Sequence, residues 1–145
     1  MPFHFSLASV LRYRASLERR EYLALQQIQQ LINVVDSQLS QLEESCAAAS
    51  RKRVSDMMQR TYAVLIQADY EHQSALERQR DALRAKLGEL KLQWQQQLQA
   101  YQLAQRNQET LEKLRSRELD AYKKEGAKRE QNAVDEIFLL RRRSK

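Results

Sequence analysis

The chain has 145 residues, of which 42% are hydrophobic and 30% are charged, and its formal net charge is +6. This length fits one domain, and this composition suits long amphipathic helices with a thin core. The single cysteine excludes a disulfide within the chain, and no apolar stretch approaches the roughly 20 residues that a membrane-spanning helix needs.

The first predicted element is a long helix. From Ser6 to Lys145 the chain has no proline and only two glycines, Gly88 and Gly126. Pro2 precedes the helix and Ser6 is a suitable N-cap, so we expect the helix to begin near residue 6 or 7. Apolar residues then recur at spacings of three and four, which places them on one helical stripe: Leu7, Val10, Leu17, Ala24, Ile28, Leu31, Val35, Leu39 and Leu42. The pattern predicts a helix over about 6–49.

A turn is predicted next, over about 50–56. The apolar stripe fades after Leu42, and a small basic cluster follows at 51–53. Ser55 and Asp56 can cap a new helix. We therefore predict a second helix over about 57–141.

The second helix carries a stripe of its own. Its apolar members are Tyr62, Ile66, Leu76, Leu83, Leu87, Leu90, Trp94, Leu98, Tyr101, Leu111 and Leu114. Polar residues interrupt the two stripes and are expected to set the register or loosen the pairing: Arg14, Glu21, Gln38, Asp69 and Gln97. Stripes this narrow need partner helices. The predicted fold is all-α, with two long helices in an antiparallel coiled-coil hairpin that forms a single domain over 1–145.

The second helix is expected to be the longer one, so that its distal half projects from about Gln102 onward. Glycine costs about 1 kcal/mol relative to alanine inside a helix, so Gly126 is a candidate hinge. Beyond it lies a terminal apolar face made of Ala133, Val134, Ile137, Phe138 and Leu140. This face is expected either to fold back on Phe3, Phe5 and Leu7 or to bind a partner.

Residues that could carry chemistry are sparse. Cys46 has no second cysteine or nearby histidine, and His4 and His72 lie far apart without ligand spacing. Neither glycine belongs to a phosphate-binding loop. We therefore expect no enzyme, no metal, no cofactor and no small-molecule substrate, and we expect Cys46 to be a packing residue.

The positive charge suggests two further hypotheses. Arg141, Arg142, Arg143 and Lys145 could bind nucleic acid in a salt-sensitive manner. The other cations are interleaved with acids, as on a solvated helix, so nucleic-acid binding is the weaker interpretation. The same tail with residues 137–140 could lie on anionic lipid, as an auxiliary peripheral contact with a membrane.

Both ends of the chain resemble the FliJ family of flagellar export proteins. The opening carries Phe3-His4-Phe5-Ser6-Leu7, followed by Val10-Leu11 and Arg14. The far end carries Leu111-Glu112-Lys113-Leu114-Arg115-Ser116-Arg117 and Asn132-Ala133-Val134-Asp135-Glu136, which are similar to that family's "kxLexLrer" and "DE" segments. The resemblance spans nearly the whole chain.

The resemblance implies a cytoplasmic component of the flagellar type III export apparatus, peripheral at the inner membrane. Its partners would be a hexameric export ATPase, the cytoplasmic domain of the export-gate membrane protein, and export chaperones. The chain would be a stalk that promotes assembly and activity of the ATPase ring, links it to the gate, and helps to cycle chaperones. The equivalent stalk of a virulence-type injectisome is the alternative.

The resemblance also suggests candidate contact residues. The family's gate-binding surface lies near the start of the long helix, which here points to Tyr62, Leu65, Ile66, Asp69 and Tyr70. Leu65 and Tyr70 do not lie on the helical face that carries Tyr62 and Ile66, so they are candidates for exposed apolar contacts. For the ATPase we expect the basic residues near the two termini: Arg12, Arg14, Arg19, Arg20, Arg141, Arg142 and Arg143.

Overall fold

The computed structural model describes residues 2–59 and 62–144, and Met1, Arg60, Thr61 and Lys145 lie outside the described residues. The described chain consists of helix α1, Ala8–Met58 with 51 residues, and helix α2, Ala63–Arg143 with 81 residues. No strand occurs in these ranges. The two helices pack against each other, which confirms the predicted all-α helix pair.

The chain divides into two compact units. One unit is Tyr22–Ala100, and the other combines Met1–Glu21 with Tyr101–Lys145. Each unit contains a stretch of α1 and a stretch of α2.

Helix α1 begins close to its predicted start. The Ala8 N–H donates to the Phe5 carbonyl at 3.1 Å, and the Leu11 N–H donates to the Leu7 carbonyl at 2.9 Å. Leu7, instead of Ser6, therefore occupies the N-cap position, because its carbonyl accepts the first bond of the helical ladder. Phe5 is buried, so the chain is anchored before the helix starts.

The turn predicted at 50–56 is not where the chain turns. Helix α1 continues through this stretch to Met58, and the Gln59 N–H still donates to the Ser55 carbonyl at 3.0 Å. Ser55 and Asp56 lie inside α1 and do not cap a helix. Alanine, arginine, lysine and methionine are strong helix formers, so the fading of the apolar stripe was no signal for a helix end. Helix α2 begins at Ala63, where the N–H groups of Leu65 and Ile66 donate to the Tyr62 carbonyl at 3.0 and 3.3 Å.

Two ion pairs show how the helices run in the unit Tyr22–Ala100. Arg84 Nη2 donates to Glu43 Oε1 at 3.1 Å, and Lys52 Nζ lies 3.4 Å from Asp69 Oδ1. As the residue number rises along α1, the partner's number falls along α2. This order is that of an antiparallel pair.

The core of this unit is a small aliphatic cluster. Val35 and Leu39 of α1 are buried against Leu87 and Leu90 of α2, and Ile32 and Leu83 pack beside them. Cys46 is buried as well, in keeping with the packing role expected for it. Each helix contributes only one stripe, because a helix pair has no second layer to cover the other faces.

Along both helices the covered positions alternate at spacings of three and four, as in a heptad repeat. The covered positions of α1 in this unit include Leu25, Ile28, Ile32, Val35, Leu39, Leu42, Cys46, Ala49, Arg53 and Asp56. Those of α2 include Ile66, Asp69, Gln73, Leu76, Arg80, Leu83, Leu87, Leu90, Trp94 and Gln97. Leu31 and Gln38 were predicted to face the partner, but both are exposed because the stripe runs through their neighbours. The other predicted polar interruptions are partly covered: Asp69 and Gln97 in this unit, and Arg14 and Glu21 in the other.

The other unit shows how far α1 covers α2. The rings of Phe3 and Tyr122 lie 5.6 Å apart at 51°. Residues of α2 remain partly covered well beyond Gln102, the predicted start of a free helix: Ala104, Gln108, Leu111, Leu114 and Leu119. The expected start was too early, since the turn lies later in the chain and α1 is correspondingly longer.

All residues from 127 to 144 are exposed, and we call this stretch the distal segment. Its apolar face of Ala133, Val134, Ile137, Phe138 and Leu140 is not covered by Phe3, Phe5 or Leu7. The expected folding back is therefore not seen. Helix α2 passes through Gly126 without interruption.

Candidate partner-binding surfaces

The end of α1 and the start of α2 carry an unusual density of exposed apolar side chains. We call this set the tip surface, and all of its members belong to the unit Tyr22–Ala100. Met58 and Tyr62 are each 82% exposed and Val64 is 78% exposed. The full set is Val54, Met57, Met58, Tyr62, Val64, Leu65 and Tyr70. Methionine and tyrosine adapt to varied partners, so this composition is typical of a binding surface.

Two open grooves lie at the tip surface. One of about 520 Å³ is lined by Arg53 and Met57 of α1 and by Ala63, Ile66, Gln67 and Tyr70 of α2. The other, of about 480 Å³, lies along α1 and includes Arg51, Val54 and Met58. Each is lined by apolar side chains together with an arginine, Arg53 in the first and Arg51 in the second.

The five residues suggested for gate binding separate into two groups. Tyr62, Leu65 and Tyr70 are exposed, as expected for Leu65 and Tyr70. Tyr62 was expected in the stripe of α2, but it precedes the first residue of that helix. Ile66 is half-buried and forms part of the larger groove, and Asp69 faces α1 with its side chain 12% exposed. A role for any of them in binding stays a prediction.

A polar cluster lies between the helices beside the larger groove. The Asp56 carboxyl of α1 hydrogen-bonds to the Asp69 carboxyl of α2, and this bond raises the pKa of Asp56, as do partial burial and the charge of Asp69. The same bond lowers the pKa of Asp69, and the nearby Lys52 ammonium lowers it further. As the pH rises, Asp69 therefore ionises before Asp56, and Asp56 keeps its proton to higher pH than an ordinary aspartate.

Not every polar atom of this cluster is satisfied. Within residues 2–59 and 62–144, the buried side-chain atoms that lack a hydrogen-bond partner are Arg53 Nε, Asp69 Oδ2 and Gln73 Oε1. Buried polar atoms without partners cost stability. This part of the helix pair therefore gains less stability from its buried side chains than a fully hydrogen-bonded cluster would.

The arginines suggested for ATPase binding lie in the unit formed by Met1–Glu21 and Tyr101–Lys145. Arg12, Arg19 and Arg20 are exposed, while Arg14 is half-buried at a stripe position of α1. Arg141, Arg142 and Arg143 are exposed in the last turn of α2. Lys145 falls outside the described residues.

The structure does not bring these arginines into one cluster. Phe3 contacts Tyr122, and α1 runs from there in the direction opposite to α2. At a rise of 1.5 Å per residue, Arg141 lies roughly 28 Å beyond Tyr122 along α2. The arginines of α1 and those of α2 are two separate groups.

Sequence reasoning missed part of the tip surface, namely Val54, Met57, Met58 and Val64. A signal was present in two places. Met57 and Met58 are adjacent, as are Val64, Leu65 and Ile66. Consecutive helical residues point about 100° apart, so only one member of each run can face the partner helix.

Two kinds of feature are absent from the described residues. No group of three or more His, Cys, Asp and Glu side chains there could hold a metal ion. No helix in the described part of the chain is long and apolar enough to cross a bilayer.

Comparison with known families gives a match that covers almost the entire chain. The family model described as "Flagellar FliJ protein" matches residues 3–145. Searches of curated proteins and of solved structures found no significant match. Membership of this family implies a component of the flagellar type III export apparatus. The chain belongs to the FliJ family of flagellar proteins.

Proposed function

We propose that this chain is a stalk that promotes ring assembly and activity of the hexameric flagellar export ATPase. It links that ring to the cytoplasmic domain of the export-gate membrane protein, and it takes part in cycling export chaperones. It acts in the cytoplasm, peripherally at the inner membrane. The matched family is a flagellar one, which favours this proposal over an injectisome stalk.

The observation that supports the proposal most strongly is the tip surface. Seven apolar side chains are exposed around the end of α1 and the start of α2, and a chain that worked alone would gain nothing from exposing them. Large aromatic and methionine side chains are common anchors in protein interfaces. We assign the tip surface to the gate.

The arginines supply a second, chemically different surface. Arg141, Arg142 and Arg143 are exposed side by side, and no acidic residue follows Glu136. Arginine forms paired hydrogen bonds with carboxylates, so these residues suit acidic groups of the ATPase. We assign the terminal arginines of α1 and α2 to that partner.

The central test is the hydrolysis rate of the cognate export ATPase with and without the purified chain, alongside the size of the ATPase by light scattering. The proposal expects both to rise. If neither changes, the stalk role is wrong.

Variants separate the two assignments. Replacing Tyr62, Leu65 and Tyr70 together by serine should abolish capture of the purified gate domain and leave ATPase stimulation intact. Replacing Arg141, Arg142 and Arg143 by glutamine should have the opposite effect. Leu103→Ser is the matched control, because Leu103 is an exposed apolar residue of α2 outside both surfaces. Equal loss in all three proteins would contradict both assignments.

Nucleic-acid binding is a second candidate function, and the exposed arginines at 141–143 are the observation that favours it. It predicts that duplex DNA shifts in a gel at low salt, that added salt weakens the complex steeply, and that deletion of 141–145 abolishes it. Absence of a shift at low salt would exclude this function.

A further inference from the structure

The distal segment carries apolar side chains that nothing in the chain covers. Helix α2 continues to Arg143, and the Ser144 N–H still donates to the Leu140 carbonyl at 3.2 Å. The large apolar side chains from Val134 to Leu140 are between 54% and 66% exposed. The helix is thus formed in a region where no second helix shields it.

The placement of these side chains around the helix indicates what kind of partner fits. In steps of about 100°, Ala133, Val134, Ile137, Phe138 and Leu140 fall within an arc of about 160°, and Leu139 lies on the other side. A helical partner would cover a narrower stripe, as α1 does along the paired part of α2. An arc of this width that carries Phe and Leu and is followed by arginines fits a helix that lies in a lipid interface.

The charged residues next to this apolar face indicate the charge that a partner should carry. Asp135 and Glu136 are the last acidic residues, and Arg141, Arg142 and Arg143 follow the apolar run directly. A second copy aligned in parallel would place these arginines beside their equivalents, which is unfavourable. A bilayer of anionic phospholipid has an apolar layer of acyl chains and a layer of headgroup phosphates. Arginine side chains are long enough to reach the phosphates while the apolar face of the helix lies against the acyl chains.

We propose that the distal segment binds the surface of an anionic lipid bilayer. Val134, Ile137, Phe138 and Leu140 enter the boundary between headgroups and acyl chains, and Arg141 to Arg143 bind lipid phosphates. Neither element is sufficient alone, because stable membrane attachment needs apolar insertion together with a basic patch. Arg141 to Arg143 are also the residues assigned to the ATPase above, so lipid and ATPase compete for them. Vesicle binding by the purified chain therefore tests the lipid contact in the absence of the ATPase and the gate.

The test is sedimentation of the full chain with lipid vesicles at low salt. We expect binding to vesicles that contain phosphatidylglycerol and at least roughly tenfold weaker binding to pure phosphatidylcholine vesicles. The double variant Ile137→Ser with Phe138→Ser and the triple variant Arg141→Gln, Arg142→Gln and Arg143→Gln should each lose most of the binding. All side chains changed are exposed, and circular dichroism checks that the variants remain helical.

A matched control separates specific contact from general charge attraction. Lys123→Gln, Lys124→Gln and Lys128→Gln remove three exposed cations from the same helix, away from the apolar run. We expect this variant to bind like the unmodified chain. An equal loss in this variant, or undiminished binding by the serine variant, would overturn the proposal.

Depth of insertion gives an independent readout. In a Phe138→Trp variant, tryptophan emission should be quenched by vesicles with brominated acyl chains. The unmodified chain, whose Trp94 is half-buried on the stripe that α2 turns toward α1, should show no quenching. Absence of quenching at residue 138 would overturn insertion. Concentration-dependent dimers through the distal segment without lipid binding would show that a second copy is the occupant instead.

Discussion

At the scale of single residues, the least ordinary feature is the pair of carboxyls that α1 and α2 present to each other near the tip. Asp56 and Asp69 titrate as a pair, with the pKa of Asp56 raised and that of Asp69 lowered. Lys52 lies beside Asp69, so the ionised form of Asp69 is the better stabilised one. The two residues therefore contribute to stability with opposite dependence on pH.

Replacing Asp56 by asparagine should stabilise the chain at neutral pH. Because the pKa of Asp56 is raised in the fold, its contribution is present below the ordinary value of 3.8 and is lost as the pH rises through the folded pKa. Asparagine keeps a hydrogen-bond donor and never ionises. The free energy of unfolding in urea, measured from about pH 4 to about pH 8, should favour the variant increasingly as the pH rises.

Asp69→Asn is the complementary variant, and it should behave in the opposite way. Its lowered pKa means that Asp69 stabilises the fold above the ordinary value and loses that effect as the pH falls through the folded pKa. The variant should be less stable than the unmodified chain at neutral pH, with the difference shrinking in acid. If both variants changed stability equally at every pH, the carboxyl pair would not be titrating as described.

Leu90→Ala should destabilise the chain by about 3 kcal/mol, since Leu90 is buried in the aliphatic cluster with Val35, Leu39 and Leu87. The exposed neighbour Leu92 provides the comparison. Leu92→Ala should change the free energy of unfolding by less than about 0.5 kcal/mol. Urea denaturation of the two variants measures the difference, and equal effects would mean that the cluster is not the core.

At the scale of elements, the two glycines of α2 can be used to compare the stretch of this helix that packs against α1 with the stretch that is exposed. A Cβ atom added at Gly88 or at Gly126 would meet no atom within 4 Å, so alanine fits at both positions. Gly88 lies between Leu87 and Leu90 in sequence, in the paired part of the helix. Gly126 directly precedes the exposed distal segment.

Gly88→Ala should raise the free energy of global unfolding by roughly 0.8 kcal/mol, because glycine is costly inside a helix. Gly126→Ala should instead increase the helix content of the distal segment with little effect on the midpoint of global unfolding. Thermal denaturation followed by circular dichroism tests the first effect, and amide hydrogen exchange of residues 127–144 tests the second. A larger rise in the midpoint for Gly126→Ala would show that the distal segment is part of the cooperative fold.

At the scale of the whole molecule, the distal segment should serve binding and contribute little to stability. Deleting residues 127–145 should leave the thermal midpoint nearly unchanged, since every described side chain from 127 to 144 is exposed. Phe5→Ala, a change at the other terminus, should lower stability by about 3 kcal/mol because Phe5 is buried. A marked drop in the midpoint after the deletion would contradict this division of roles.

The helical content and the family were determined by the sequence itself. The absence of proline after Pro2 and the spacing of three and four between apolar residues are local properties, and they are sufficient to predict two long helices that pair. The motifs at both ends identified the family that the comparison then confirmed. The exposed positions of Leu65 and Tyr70 followed from the same helical geometry.

Only the tertiary structure decided where the chain turns, how far α1 covers α2, and which residues form the tip surface. Heptad stripes can pair in registers that differ by whole repeats, so apolar periodicity alone does not select one register. The register is decided by contacts between residues far apart in sequence, such as Val35 and Leu39 with Leu87 and Leu90 and, among polar residues, Asp56 with Asp69. Near the end of α1, polar residues such as Asp56 occupy stripe positions, so the local sequence resembled a turn. Their partners, such as Asp69, lie on the other helix and are not visible in the local sequence.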